Sequence, residues 1–144
     1  ANGCGSQTVR AVINFTAAAG IQNTTSLGWV LVANKNYTIQ CDLQHRGAAA
    51  TTGMNVSINY TGAVKNMEVV YDTWSSATAK VQATLTNVNT IAVGTGSSTT
   101  GTHSTLSGGF ETTSSGTMNI SIGTEISGSL TTLNQHSKCT LTGY

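Results

Sequence analysis

Proline is absent from the 144 residues, where average usage would place about seven. Without it, every residue can donate to a β-ladder and no run is demoted to a sheet edge. The same absence removes a common guard against edge pairing with another chain. Charge is also scarce: Asp, Glu, Lys and Arg make up 8% of the chain and the net charge is +1, against about 25% charged residues in an ordinary soluble domain. That balance excludes the basic footprint of a nucleic-acid binder or an anionic-membrane binder. No apolar run is long enough to span a bilayer. No Cys-x-x-Cys, Gly-x-Ser-x-Gly or Lys-containing phosphate loop occurs, which removes the thioredoxin-like, hydrolase-elbow and Walker signatures.

The space left by charge is filled by Thr, Ser, Asn and Gly. Thr, Val, Ile and Tyr favour strands, because branched and aromatic side chains fit a pleated surface. Alternation of period two recurs along the chain. Val9, Ala11, Ile13, Phe15 and Ala17 form one such set. Tyr37–Leu43, Met54–Tyr60, Val81–Leu85 and Met118–Ile122 form others, each with one apolar and one polar face. Trp29–Val32 is continuously apolar and reads as a strand covered on both faces, with Trp29 in the core. Met67–Tyr71 and Cys139–Thr142 add two more runs. Turn signals separate them at Ala33–Asn36, Thr61–Gly62, Gly94–Gly96 and Ser107–Gly109. Residues 95–105 read as a long surface loop, including the glycine-rich stretch Gly94–Gly101. No window keeps a helical period.

About nine short strands with turns near every ten residues predict one all-β domain over 1–144, an antiparallel immunoglobulin-like sandwich. Ala1–Cys4 reads as a mature terminus left after removal of a targeting segment. Cys4, Cys41 and Cys139 are too few and too scattered for a zinc site. A secreted setting gives one disulfide and one leftover thiol. Cys41, in the apolar phase of its strand, is the expected member, with Cys4 or Cys139 as its partner. His45, His103 and His136 read as exposed turn residues. Among Asp42, Glu68, Asp72, Glu111 and Glu125, spacing selects no catalytic pair. The reading is therefore non-enzymatic, with no cofactor and no metal. Trp74 is the candidate for stacking a ligand.

Asn-x-Ser/Thr triplets begin at Asn14, Asn23, Asn36, Asn55, Asn59 and Asn119. Asn14, Asn55, Asn59 and Asn119 fall in the outward phase of expected strands, and Asn23 and Asn36 in turns. All six are thus candidate glycan acceptors on a secreted chain. Residues 6–19 join a clean alternation to a chain end. Such a segment can pair in its own sheet or be donated to a neighbour, with Val9, Ala11, Ile13 and Phe15 as plugs.

In this texture the chain resembles a fimbrial or pilus subunit, of the bacterial chaperone–usher kind or of the N-glycosylated archaeal thread kind. Cys4 and Cys41 are similar to the early cysteine pair of many chaperone–usher pilins. The resemblance implies an incomplete sandwich completed by a neighbour's strand, homo-oligomers or other filament subunits as partners, and an extracellular, cell-surface place. Only three residues precede Cys4, where those pilins carry a donor extension. The donor strand then lies after Cys4, or the subunit only accepts one. A secreted carbohydrate-binding module or lectin that takes a surface glycan is the second reading of the same sandwich. A small viral or phage structural protein is the third.

Overall fold

The computed structural model describes residues 5–9, 13–15, 27–76, 78–96, 99–126 and 128–144, with 13–15 described by backbone alone. Among the described residues there are twelve strands and no helix. They are β1 (Gly5–Thr8), β2 (Ile13–Phe15), β3 (Gly28–Leu31), β4 (Asn36–Gly47), β5 (Met54–Tyr60) and β6 (Val64–Trp74), followed by β7 (Lys80–Leu85), β8 (Ile91–Ala92), β9 (Thr102–Thr112), β10 (Gly116–Thr124), β11 (Thr131–Leu133) and β12 (Lys138–Gly143). All pairings are antiparallel. The larger sheet runs β1-β12-β4-β9-β6-β7, with β11 joining β4 to β2 at one end. The smaller sheet runs β3-β10-β5-β8.

The two sheets form a sandwich because their alternating strands each turn one apolar face inward. β4 shows this most clearly, with exposed and buried positions alternating over most of its twelve residues. Tyr37, Ile39, Cys41 and Leu43 face Met54, Val56 and Ile58 of β5 and Met118, Ile120 and Ile122 of β10 across one buried core. Tyr37 and Phe110 stack within it, ring centroids 5.7 Å apart. Trp29 is buried, and its indole N–H donates to the carbonyl of Gly5 at 3.2 Å. A buried indole needs such a partner.

Cys41 and Cys139 lie directly opposite on β4 and β12, with Cα atoms 4.0 Å apart, and form a fully buried disulfide. The expectation of a bridge through Cys41 is met by Cys139. Cys4 lies outside the described residues.

Three expectations change. Trp29–Val32 is not covered on both faces: β3 is an edge strand, and Val30 and Val32 are exposed. Val9 is not part of a strand. β1 ends at Thr8 and pairs with β12, while β2 pairs with β11. Val9 lies between them, buried in its own chain's core, its backbone bonded to Ser137 and His136. Ser107–Gly109, taken as a turn, lies inside β9, the strand flanked by β4 and β6. The surface loop therefore ends before Thr102. Gly108 is there because nothing larger fits. A Cβ at this position would stand 2.0 Å from the carbonyl oxygen of Glu68, where β6 bulges between Lys65 and Glu68. Glycine permits that backbone approach, and it erases the strand signal from the sequence.

Two outcomes are expected in urea unfolding. Joint replacement Cys41→Ala, Cys139→Ala lowers stability by about 2–5 kcal/mol, because the bridge closes a long loop. Gly108→Ala costs about 1–3 kcal/mol, because the clash is with backbone and forces a shift. A midpoint equal to the parent's in either case contradicts the corresponding account.

Candidate functional site

The outer face of the larger sheet presents the polar halves of β4, β9, β6 and β7. Cross-strand register sets Asp42 beside Thr105, and Thr105 beside Asp72, which faces Gln82. His103 sits on the same face, its Nε2 3.4 Å from an oxygen of Asp42. Lys80 lies 3.7 Å from Asp72 Oδ2, which also accepts from Gln82 Nε2 at 3.4 Å. The Lys80 ammonium stands 4.9 Å from the ring centroid of Trp74. That cation–π contact occupies one face of the indole. Trp74 is half-buried and is part of a charged cluster rather than an open platform. These surface pairs fix side chains in place but contribute little energy.

Lower on that face, Gly108 and Gly109 leave a floor without side chains. A groove of about 460 Å³ lies over it, bounded by Asn36, Asn66, Glu68, Glu111 and Tyr144. A second depression of about 370 Å³ shares Ser107 and Gly108 with it and extends toward Thr140 and Thr142. Lys65 pairs with Glu111 at 2.9 Å on its border. Asn66, in the β6 bulge, has a left-handed φ of 52°, a conformation asparagine tolerates better than most residues.

Inside the sandwich runs a polar seam that the sequence did not announce. His45, expected in a turn, occupies the inward phase of β4 and is fully buried. Its Nε2 lies 2.6 Å from Ser104 Oγ, which lies 2.6 Å from Thr73 Oγ1. Nearby, the hydroxyl of Tyr71 donates to the carbonyl of Met54 at 2.8 Å. Burial pushes the His45 imidazole down to about 4, with His103 adding to the effect, and pushes the Tyr71 phenol up to about 12. The His45 Nδ1 is buried without a partner. A histidine beside a serine suggests a nucleophile and base, but this pair is sealed from solvent and no substrate can reach it. The spacing of Asp42 and His45 places them on opposite faces, as read from the sequence, and Asp42 pairs with His103 instead. Among the described residues, no group of three or more His, Cys, Asp and Glu side chains is placed to hold a metal.

The triplet asparagines divide. Asn36 is exposed at the start of β4, not in a turn. Asn59 is half-buried, donating to Ser121 Oγ and accepting from Ser57 Oγ. Asn119 is half-buried on β10. Asn55 is buried, and its amide is bonded to Thr124 and Gly94. The exposed, outward position expected of it is overturned, and Ser57 and Ser121 beside it are buried too. Asn55 is therefore not accessible as an acceptor in the folded chain. Asn14 lies on β2, opposite Thr132. Asn23 and Ala11 lie outside the described residues.

No protein-family model and no curated protein matches the chain. Among solved structures it is similar to the VP2 subviral particle of infectious bursal disease virus, at 12% identity and a TM-score of 0.29. That match covers 97% of this chain and 39% of the viral one. The overlap is too slight to bring fold detail or function across.

The His45 seam makes stability acid-sensitive. The folded chain holds His45 near 4, whereas the unfolded chain binds the proton near 6.5. Between those values only the unfolded state is protonated, so stability is complete above 6.5 and falls as pH drops toward 4. The loss reaches about 3 kcal/mol for this group. His45→Gln, which keeps a polar partner for Ser104, is expected to flatten the slope of unfolding free energy over that window. A slope equal to the parent's would show that other groups set it.

Proposed function

We propose that the chain is a structural subunit of an extracellular surface filament, non-enzymatic and adhesive, joined to its neighbours through sheet edges. The observation that carries this reading is that, among the described residues, β3 and β8 each have a strand partner on one side only. β3 at one edge exposes Val30 at 56% and Val32 at 52%, and β8 with its extension at the other exposes Ile91 at 43% and Val93 at 47%. Outward apolar side chains on an edge strand are what most chains avoid.

The backbone of β3 adds support. Gln7 closes the edge at Gly28, its side-chain amide bonded to both the N–H and the carbonyl there. Tyr37 and Thr112 close it at Val32. Val30 lies between these two caps, where its backbone leaves room for a short bridge from a neighbour. β3 and β8 are unlike surfaces, and pairing unlike surfaces propagates instead of closing into a dimer.

Strand donation fits the same frame. Among the described residues β1 has one strand partner, β12, and Val9 fills a slot in the core. A neighbour's copy of the segment would place its own Val9 in that slot, so exchange loses little energy there. A buried disulfide suits an oxidising compartment. No helix among the described residues is long and apolar enough to cross a membrane. The low charge lets subunits stack without strong repulsion.

Negative-stain microscopy and sedimentation of the purified chain are expected to show elongated assemblies that the joint variant Val30→Lys, Ile91→Lys abolishes. That variant keeps the parent's thermal midpoint, because both positions face solvent. Discrete monomers at every concentration reached, or assemblies unaffected by the variant, would overturn the reading.

A further inference from the structure

We propose that the groove over Gly108 and Gly109 binds a neutral saccharide, taking adjacent ring hydroxyls on its polar rim and a sugar face against Tyr144. The proposal goes beyond assembly, since the groove lies on the face of the larger sheet and the β3 and β8 edges on the smaller one. At about 460 Å³ the groove is within the size range of ligand sites. Its neighbour of about 370 Å³, sharing Ser107 and Gly108, extends it into a trough with room for more than one sugar ring.

The rim chemistry narrows the ligand. Among the described residues, the side chains of Asn36, Asn66 and Glu68 and the hydroxyl of Tyr144 have no hydrogen-bond or ion-pair partner. Tyr144 is 72% exposed, yet its backbone is fixed by two bonds to Asn36, at 2.9 and 3.2 Å. Its ring is thus an exposed apolar plate on an anchored stem. Amides and a carboxylate around such a ring suit a ligand with polar edges and C–H faces. A phosphate or sulfate is disfavoured, because among the described residues no cation pairs with Glu68 and Lys65 is bound to Glu111. An aliphatic ligand would cover the amides without pairing them. A sugar satisfies both kinds of surface. The groove is shallow and its contacts few, so affinity is on the order of 1 mM.

The test is an amide-resolved NMR titration of the whole chain with mannotriose and with cellotriose. The protein is made without glycosylation, since Asn36 heads an Asn-x-Thr triplet beside the groove. With one of the two sugars, shifts are expected at Ser107–Glu111, Asn36 and Tyr144. Tyr144→Ala and Asn66→Gly are each expected to weaken binding about tenfold or more. Glycine is chosen at position 66 because it keeps the left-handed backbone while removing the amide. A dispersed spectrum confirms that each variant is folded. No shifts at these residues with about 20 mM of either sugar, a level well above the expected dissociation constant, would overturn the proposal. So would shifts centred on Trp74, or unchanged affinity in either variant.

Discussion

The Cys41–Cys139 bridge is the constraint on which the rest of the larger sheet hangs. It joins β12 to β4 at directly opposed residues. Among the described residues β1 pairs as a strand with β12 alone, and the backbone of Val9 bonds to the turn that precedes β12. Gln7 and Gly5 then reach across to Gly28 and Trp29 of the smaller sheet. The N-terminal edge is therefore held by way of the C-terminal strand. Packing at one corner of the core depends on a covalent bond made far away in sequence.

The sandwich was legible wherever alternation was strict. Met54–Tyr60 is β5 residue for residue, and Tyr37–Leu43 lies inside β4. Strict alternation reports a strand because one face is buried and the other is not. β9 failed that test because Gly108 and Gly109 carry no side chain to count, and because Ser104 and Thr112 face inward as polar residues. His45 failed for the same reason in reverse: its inward phase was visible, but an imidazole is not expected in a core until a serine is found opposite it. The candidate groove was the least legible part. It depends on a bulge, on missing side chains and on the end of β12 meeting the start of β4, and none of these leaves a motif.

Polar residues in this protein have two kinds of work. On the outer face of the larger sheet they stay solvated and form the groove and the Trp74–Lys80 cluster. On the smaller sheet several are buried or half-buried and hydrogen-bonded within the fold: Asn59 donates to Ser121, and Asn55 is bonded to the backbone of Thr124 and Gly94. The Ser, Thr and Asn content that first suggests a solvated coat is in part interior structure.

The span of the bridge has a consequence for survival under proteolysis. Most of the turns between strands lie between residues 41 and 139, and exposed turns are where proteases cut. A single cut at any of them leaves two pieces that are still one covalent molecule, with each strand still paired in its sheet. The chain can be nicked there without being dismantled, and only a reductant would separate the fragments.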